Sequence, residues 1–329
     1  MTSARSISRD PDRPDVSARG RLVPNLLAVS AAVADMLTSG FGSHHDPRSP
    51  AGTASLPSAS GTVTLTTFRQ VRRELATPIV AAGVRSPARV GNAMTSFLVR
   101  HADANILVDP ATCADVHRRV LPQLPAPMRA LVAPPASVVS VRDSLEDVGL
   151  TFADIDFALP THLHWDHVSG LVDAPDLPMR VTEREWHWAM DGRRAPSGVA
   201  RRALVDRMVD FYELDGPPVL GFPRSHDMFG DGSVTVLEMS GHTPGSVGFL
   251  LHLGERAAPQ PRWVLLVGDA VWHNVQIRYR RGKGLSRLFD SDRRTAFDVI
   301  RILSALDSSV AIVPSHDPDA ASPFQPADI

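Results

Sequence analysis

The stretch Thr161-His162-Leu163-His164-Trp165-Asp166-His167 sets three histidines and an aspartate almost side by side, directly behind an apolar run at 155–159. A short apolar run of this kind reads as a strand, here ending at Pro160. In an extended chain residues i and i+2 point the same way, so the imidazoles of His162 and His164 can reach one ion. Asp166 and His167 follow as the chain turns and can face a second position nearby. Any fold this chain adopts has to hold the stretch at a strand end with room for a cation.

The rest of the chain supplies candidate partners at equivalent places. Apolar, β-branched runs at 62–68, 95–100, 105–110, 155–160, 179–183, 233–239, 246–253, 263–269 and 310–315 predict strands. Helical patterns lie between them. The segment 143–150 opens on Asp and Ser and closes on a glycine, and 294–306 sets Phe297, Ile300, Leu303 and Leu306 on one face. Strands that come in clusters and then alternate with helices fit an α/β layered domain. His242, Asp269 and His316 each close one of the later strands, where loops fixed by a rigid sheet carry functional side chains. With a single cysteine, Cys113, neither a disulfide framework nor an all-cysteine metal site is open to the chain. Histidine and carboxylate ligands of this kind suit two borderline Lewis-acid ions, zinc first, with manganese or iron as alternatives.

These motifs resemble the metallo-β-lactamase-fold hydrolase superfamily, whose HxHxDH signature appears as His-Leu-His-Trp-Asp-His, followed by Ser-Gly-His242-Thr-Pro-Gly-Ser, Val-Gly-Asp269-Ala and Pro-Ser-His316-Asp. The resemblance spans roughly residues 62–317, with the four motifs in the family's order. It implies a four-layer αββα sandwich. It also implies one metal on His162, His164 and His242, a second on Asp166, His167 and His316, and Asp269 bridging them. A hydroxide held by such a pair is a strong nucleophile at neutral pH, because metal binding lowers the pKa of water from about 15.7 to about 7. The expected reaction is attack on the carbonyl of an ester or lactone of a small, fairly apolar molecule, with Asp166 also orienting the nucleophile. A thioesterase of glyoxalase II type and a mononuclear iron persulfide dioxygenase are the alternatives that the ligand set leaves open.

Outside the cage the expectations are looser. The lactonase branch carries a tyrosine three residues after the bridging aspartate, where this chain has Trp272. Trp272 then reads as an apolar pocket wall, together with Trp165, and His273 as a catalytic substitute for the missing hydroxyl. Asp317 is a candidate partner for a ligand imidazole. The basic run at 278–284 reads as a solvated loop or a cationic rim, and the proline-rich segment 121–142 as a rim or lid. A net charge of −2 gives no reason to expect nucleic acid. The N-terminal 61 residues read as a disordered tail, a short apolar helix near 22–37 and a Ser/Gly/Pro linker, ahead of a hydrolase domain at 62–329. That helix is too short for stable membrane insertion and is a candidate homodimer contact. The location expected is cytoplasmic, or exported if residues 22–34 act as a signal h-region.

Overall fold

The computed structural model describes residues 55–254 and 261–326, so the expected N-terminal tail and apolar helix lie outside the described residues. One sheet runs in the spatial order β1 (Thr64–Ala76), β2 (Arg89–Arg100), β3 (Asn105–Val108), β4 (Phe157–Leu159), β5 (Met179–Thr182) and β6 (Val209–Tyr212). The other runs from β11 (Val310–Val313) through β10 (Trp263–Leu266), β9 (Val247–His252) and β8 (Val234–Glu238) to β7 (Ser225–Asp227). β1 to β3 are antiparallel and β3 to β6 parallel, whereas the second sheet is antiparallel except for the β10–β11 pair.

The helices occupy the connections. They are α1 (Thr77–Val80), α2 (Val116–Arg119), α3 (Ala126–Val132), α4 (Val141–Glu146), α5 (Trp165–Val168), α6 (Glu183–Met190), α7 (Asn274–Tyr279), α8 (Ser286–Phe289), α9 (Arg293–Leu303) and α10 (Pro318–Ala321). Among the described residues no helix is long and apolar enough to cross a membrane.

Side-chain alternation explains the layering. Phe97, Val99, Ile106 and Val108 from the first sheet meet Val236, Phe249, Val264 and Leu266 from the second in a central core. The residues between them, Leu98 and Leu107, turn outward onto Val141 and Leu145 of α4 and Trp186 of α6. On the other side Leu237, Leu250 and Leu265 pack against Val299, Ile300 and Leu303 of α9. Each strand is thus apolar on both faces, as strands sandwiched between two layers must be. This is the expected αββα sandwich.

Several element boundaries differ from the expectation. α9 buries Ala296, Val299, Ile300 and Leu303, so Phe297 sits at the edge of the stripe and Leu306 lies past the helix end. Its start is set by Asp292, whose carboxylate accepts from the backbone N–H groups of Arg294 and Thr295. α4 starts earlier than its sequence pattern suggests, because Ser140 and Asp143 form a reciprocal capping box. β1 extends well past residue 68, and its register slips between Arg69 and Val71, leaving Gln70 as an extra residue. Gln70 turns inward, where its side-chain oxygen accepts from Thr112 N and its carbonyl from Val139 N. The linker composition also continues into residues that dock on the domain: Ser60 N and Gly61 N donate to Asp231 O, and Leu56 and Ala59 pack against the core cluster of the second sheet.

Candidate metal centre

Each candidate ligand stands just beyond a strand end, and both sheets contribute. The loop after β4 carries His162 and His164, and α5 then turns Asp166 and His167 back toward them. The turn between β8 and β9 carries His242, and the ends of β10 and β11 lead to Asp269 and His316. Two glycines allow this convergence. Gly268, at φ 51°, passes so near Thr161 that a Cβ would lie 2.4 Å from its hydroxyl, and a Cβ on Gly241 would lie 2.4 Å from Ala296 N.

The imidazoles meet nitrogen to nitrogen. His162 Nε2 lies 3.0 Å from His164 Nδ1, which lies 2.9 Å from His242 Nε2. Beside this trio, His167 Nε2 is 3.2 Å and His316 Nε2 3.0 Å from Asp269 Oδ1, and His316 Nε2 is 3.6 Å from Asp166 Oδ2. The candidate ligand atoms fall into three overlapping groups, each within 4.8 Å: His162, His164 and His242; His162, His167 and Asp269; and Asp166, His167 and His316.

Hydrogen bonds on the far side of the rings fix which nitrogens are bare. Asp109, buried and at φ 47° just past β3, accepts from Thr161 N at 2.7 Å, Thr161 Oγ1 at 3.0 Å and His167 Nδ1 at 2.8 Å. Since the Thr161 hydroxyl gives its proton to Asp109, it accepts from His162 Nδ1 at 3.1 Å. His316 Nδ1 donates to Ala93 O at 2.5 Å, and His242 Nδ1 to Asp290 Oδ1 at 3.1 Å. Each of these four rings, when neutral, would leave its other nitrogen bare toward the cluster.

Convergent lone pairs repel unless a cation lies among them, and burial denies them water. Burial, with the neighbouring rings, holds His162 and His164 well below the usual histidine range, and burial with Lys283 holds His242 below it. For His167 and His316 burial acts the same way, but the carboxylates of Asp109 and Asp269 for one, and of Asp269 and Asp166 for the other, outweigh it. Neither His167 Nε2 nor Asp269 Oδ1 has a hydrogen-bond partner among the described residues. The donor set therefore fits divalent cations on chemical grounds.

The cluster floors a cavity of about 190 Å³ with an apolar arm. Leu75, Ile79, Met94, Trp165, Leu285 and Phe289 form its walls, and Met128, Leu131 and Val132 of α3 form one side of its mouth. The proline-rich segment thus contributes a rim. Trp272 lines the same cavity, and its indole does more than pack: Nε1 donates to Asp269 Oδ2 at 2.7 Å. His273 is not among the lining residues. Its Nδ1 accepts from Val275 N at the start of α7 and lies 3.3 Å from Asp317 Oδ2. Asp317 correspondingly serves His273, Asn274 N and the start of α10, and among the described residues partners no ligand imidazole. Lys283, in the run expected to be a solvated loop or rim, is buried with Nζ 2.6 Å from Asp290 Oδ1 and 3.0 Å from His242 Nδ1.

Two supports went unrecognised in the sequence. Asp109 ends a strand in the same way as Asp269 and could have been found by that rule. Glu185 could not, since its role depends on a contact between distant loops: it accepts from Leu163 N at 2.9 Å, Thr243 Oγ1 at 2.7 Å and Gly245 N at 3.0 Å.

An αββα sandwich with a histidine and aspartate cluster across the ends of both sheets defines a metal-binding α/β class. Residues 91–316 match the metallo-beta-lactamase superfamily, and the chain belongs to that superfamily. A probable metallo-hydrolase of Mycobacterium tuberculosis is 27% identical over 190 residues, covering 53% of this chain and 59% of that protein. The N-acyl homoserine lactonase AttM of Agrobacterium fabrum is 26% identical over 187 residues, covering 56% and 66%. Each match thus spans less than two thirds of the relative's length. Among solved structures, an N-acyl homoserine lactone hydrolase with N-hexanoyl-L-homoserine at its catalytic metal centre superposes with a TM-score of 0.56 at 16% identity, covering 81% of this chain and 97% of that one. The dizinc quorum-quenching lactonase AidC does so with a TM-score of 0.53 at 14% identity, covering 80% and 92%.

Proposed function

We propose that this protein is a dinuclear metal-dependent hydrolase acting on the ester or lactone bond of a small molecule with an apolar body. The observation that carries the reading is the set of bare, buried imidazole nitrogens converging on Asp269 and Asp166 at the floor of a cavity whose walls are apolar. Lactonases among the relatives and among the fold neighbours support the choice of bond.

In this reading His162, His164 and His242 would hold one ion and Asp166, His167 and His316 the other, with Asp269 available to both. Divalent ions held there, zinc first, would supply a water activated at neutral pH and a Lewis acid for the scissile carbonyl. The chain's own residues do the rest. Asp109 keeps His167 in its ligating tautomer and, through Thr161, His162 as well. Trp272 fixes one oxygen of Asp269, which leaves the other free to face the ions. Asp166, the most accessible of the carboxylates in the cluster, orients the attacking water. The apolar arm takes the acyl or aromatic part of the substrate and excludes solvent.

Metal analysis of the purified protein, joined to a hydrolysis panel of acyl lactones, aryl esters, thioesters and phosphotriesters, tests the reading. About two zinc ions per chain and preferred turnover of lactones or esters are expected, with His164→Ala losing metal and turnover together. One iron per chain with oxygen uptake, or full turnover in His164→Ala, would sink it.

A further inference from the structure

One polar patch interrupts the apolar cavity wall. Arg73 on β1 and Asn92 on β2 are cross-strand partners that both line the cavity, and Arg73 Nε donates to Asn92 Oδ1 at 3.1 Å. That bond turns the guanidinium into a fixed plane. Its two terminal nitrogens, and Nδ2 of Asn92, have no protein acceptor among the described residues. The next residue along β2, Ala93, binds His316 through both its N–H and its carbonyl, so the donor patch adjoins the metal cluster directly.

The charge of Arg73 needs an answer. Burial works against it, and the one carboxylate acting on it, Asp166, is not within ion-pair distance. Once Asp166 is committed to a cation, it no longer balances the arginine. A planar, half-buried guanidinium beside a free amide N–H₂ matches the geometry of a carboxylate, which accepts through both oxygens.

We infer that the substrate carries a carboxylate apart from the bond that is cleaved, and that Arg73 with Asn92 binds it. The inference rests on the hydrolase reading for which bond breaks, but the recognition is tested independently of turnover. The substrate class becomes an amphiphilic ester or lactone, with an apolar stretch in the arm and an anionic group on the β1–β2 wall.

Two probe pairs separate the questions. The cleavable pair is the mono-phenyl ester of adipic acid and the phenyl ester of adipamic acid, which differ only in a distal carboxylate against an amide. The resistant pair is the corresponding anilides, whose binding to the zinc-loaded protein is read by calorimetry. The acid anilide is expected to bind roughly tenfold or more tighter than the amide, as a charge-assisted pair contributes. Arg73→Gln should abolish the difference and Arg73→Lys should retain part of it. Equal binding of the two anilides by the wild type, no measurable binding of either, or an undiminished preference in Arg73→Gln would each overturn the inference. If Arg73→Gln fails to fold, the wild-type preference and its weakening in Arg73→Lys decide the matter. Cleavage of both esters at equal rates with equal anilide binding leaves the hydrolase reading standing and the carboxylate site refuted. A preserved preference in binding with neither ester cleaved does the reverse.

Discussion

Glu185 ties the loop bearing His162 and His164 to the turn bearing His242, and it does so from a fully buried position. Burial raises its pKa to about 7, against the three donors that favour the anion. The sign of the consequence follows. Between the unfolded value of 4.5 and about 7 the folded chain keeps a proton that the unfolded chain releases, so stability is fully present below that window and falls as pH rises through it. The change is on the order of 3 kcal/mol at most. Glu185→Gln should remove this slope, so the melting temperature of the variant should rise relative to that of the wild type, both zinc-loaded, as pH goes from 4.5 to 7. Parallel curves across that window would refute the assignment. Asp109 acts through geometry, holding the Thr161 backbone and hydroxyl and the His167 ring in place.

At the scale of elements, α3 lines the cavity through Met128, Leu131 and Val132, and Leu131 stays 45% exposed. Truncating Met128 and Leu131 together to alanine should lower kcat/KM for long-chain acyl esters by about tenfold, the worth of one to two kcal/mol of apolar contact. Acetate esters should be spared and zinc content unchanged; an equal loss for short and long chains would contradict the role given to this helix. Most strands were legible because strands buried on both faces read as continuous apolar runs. β6 and β7 were not: they are short edge strands, β6 interrupted by Asp210 and β7 reading Ser-His-Asp, and edges tolerate polar side chains. The cage itself was legible because its ligands carry a fixed spacing and sit at strand ends. Its supports, and the positions of His273, Asp317 and Lys283, depend on which loops meet, and no local pattern encodes that.

For the whole molecule, the ligands of one cluster come from both sheets, so bound metal joins the two halves of the sandwich. Ions that bind only the folded chain add stability by mass action, about 4 kcal/mol at a thousandfold excess over Kd. Chelation should therefore lower the melting temperature by about 10 °C, reversibly on return of zinc, with His164→Ala much less responsive. An unchanged melt would mean that the cluster holds no metal that matters to folding. One feature of the first sheet bears on chemistry at this scale too. Because strand side chains alternate, the additional residue at Gln70 sets the parity of everything after it: Arg73 and Leu75 face the cavity while Arg72 and Glu74 face water. Were Gln70 instead paired in turn, with no slip, Arg72 and Glu74 would take the places opposite Asn92 and Val90, and an acid would stand on the wall where a leucine does now. The selectivity of this wall is a matter of counting as much as of residue type.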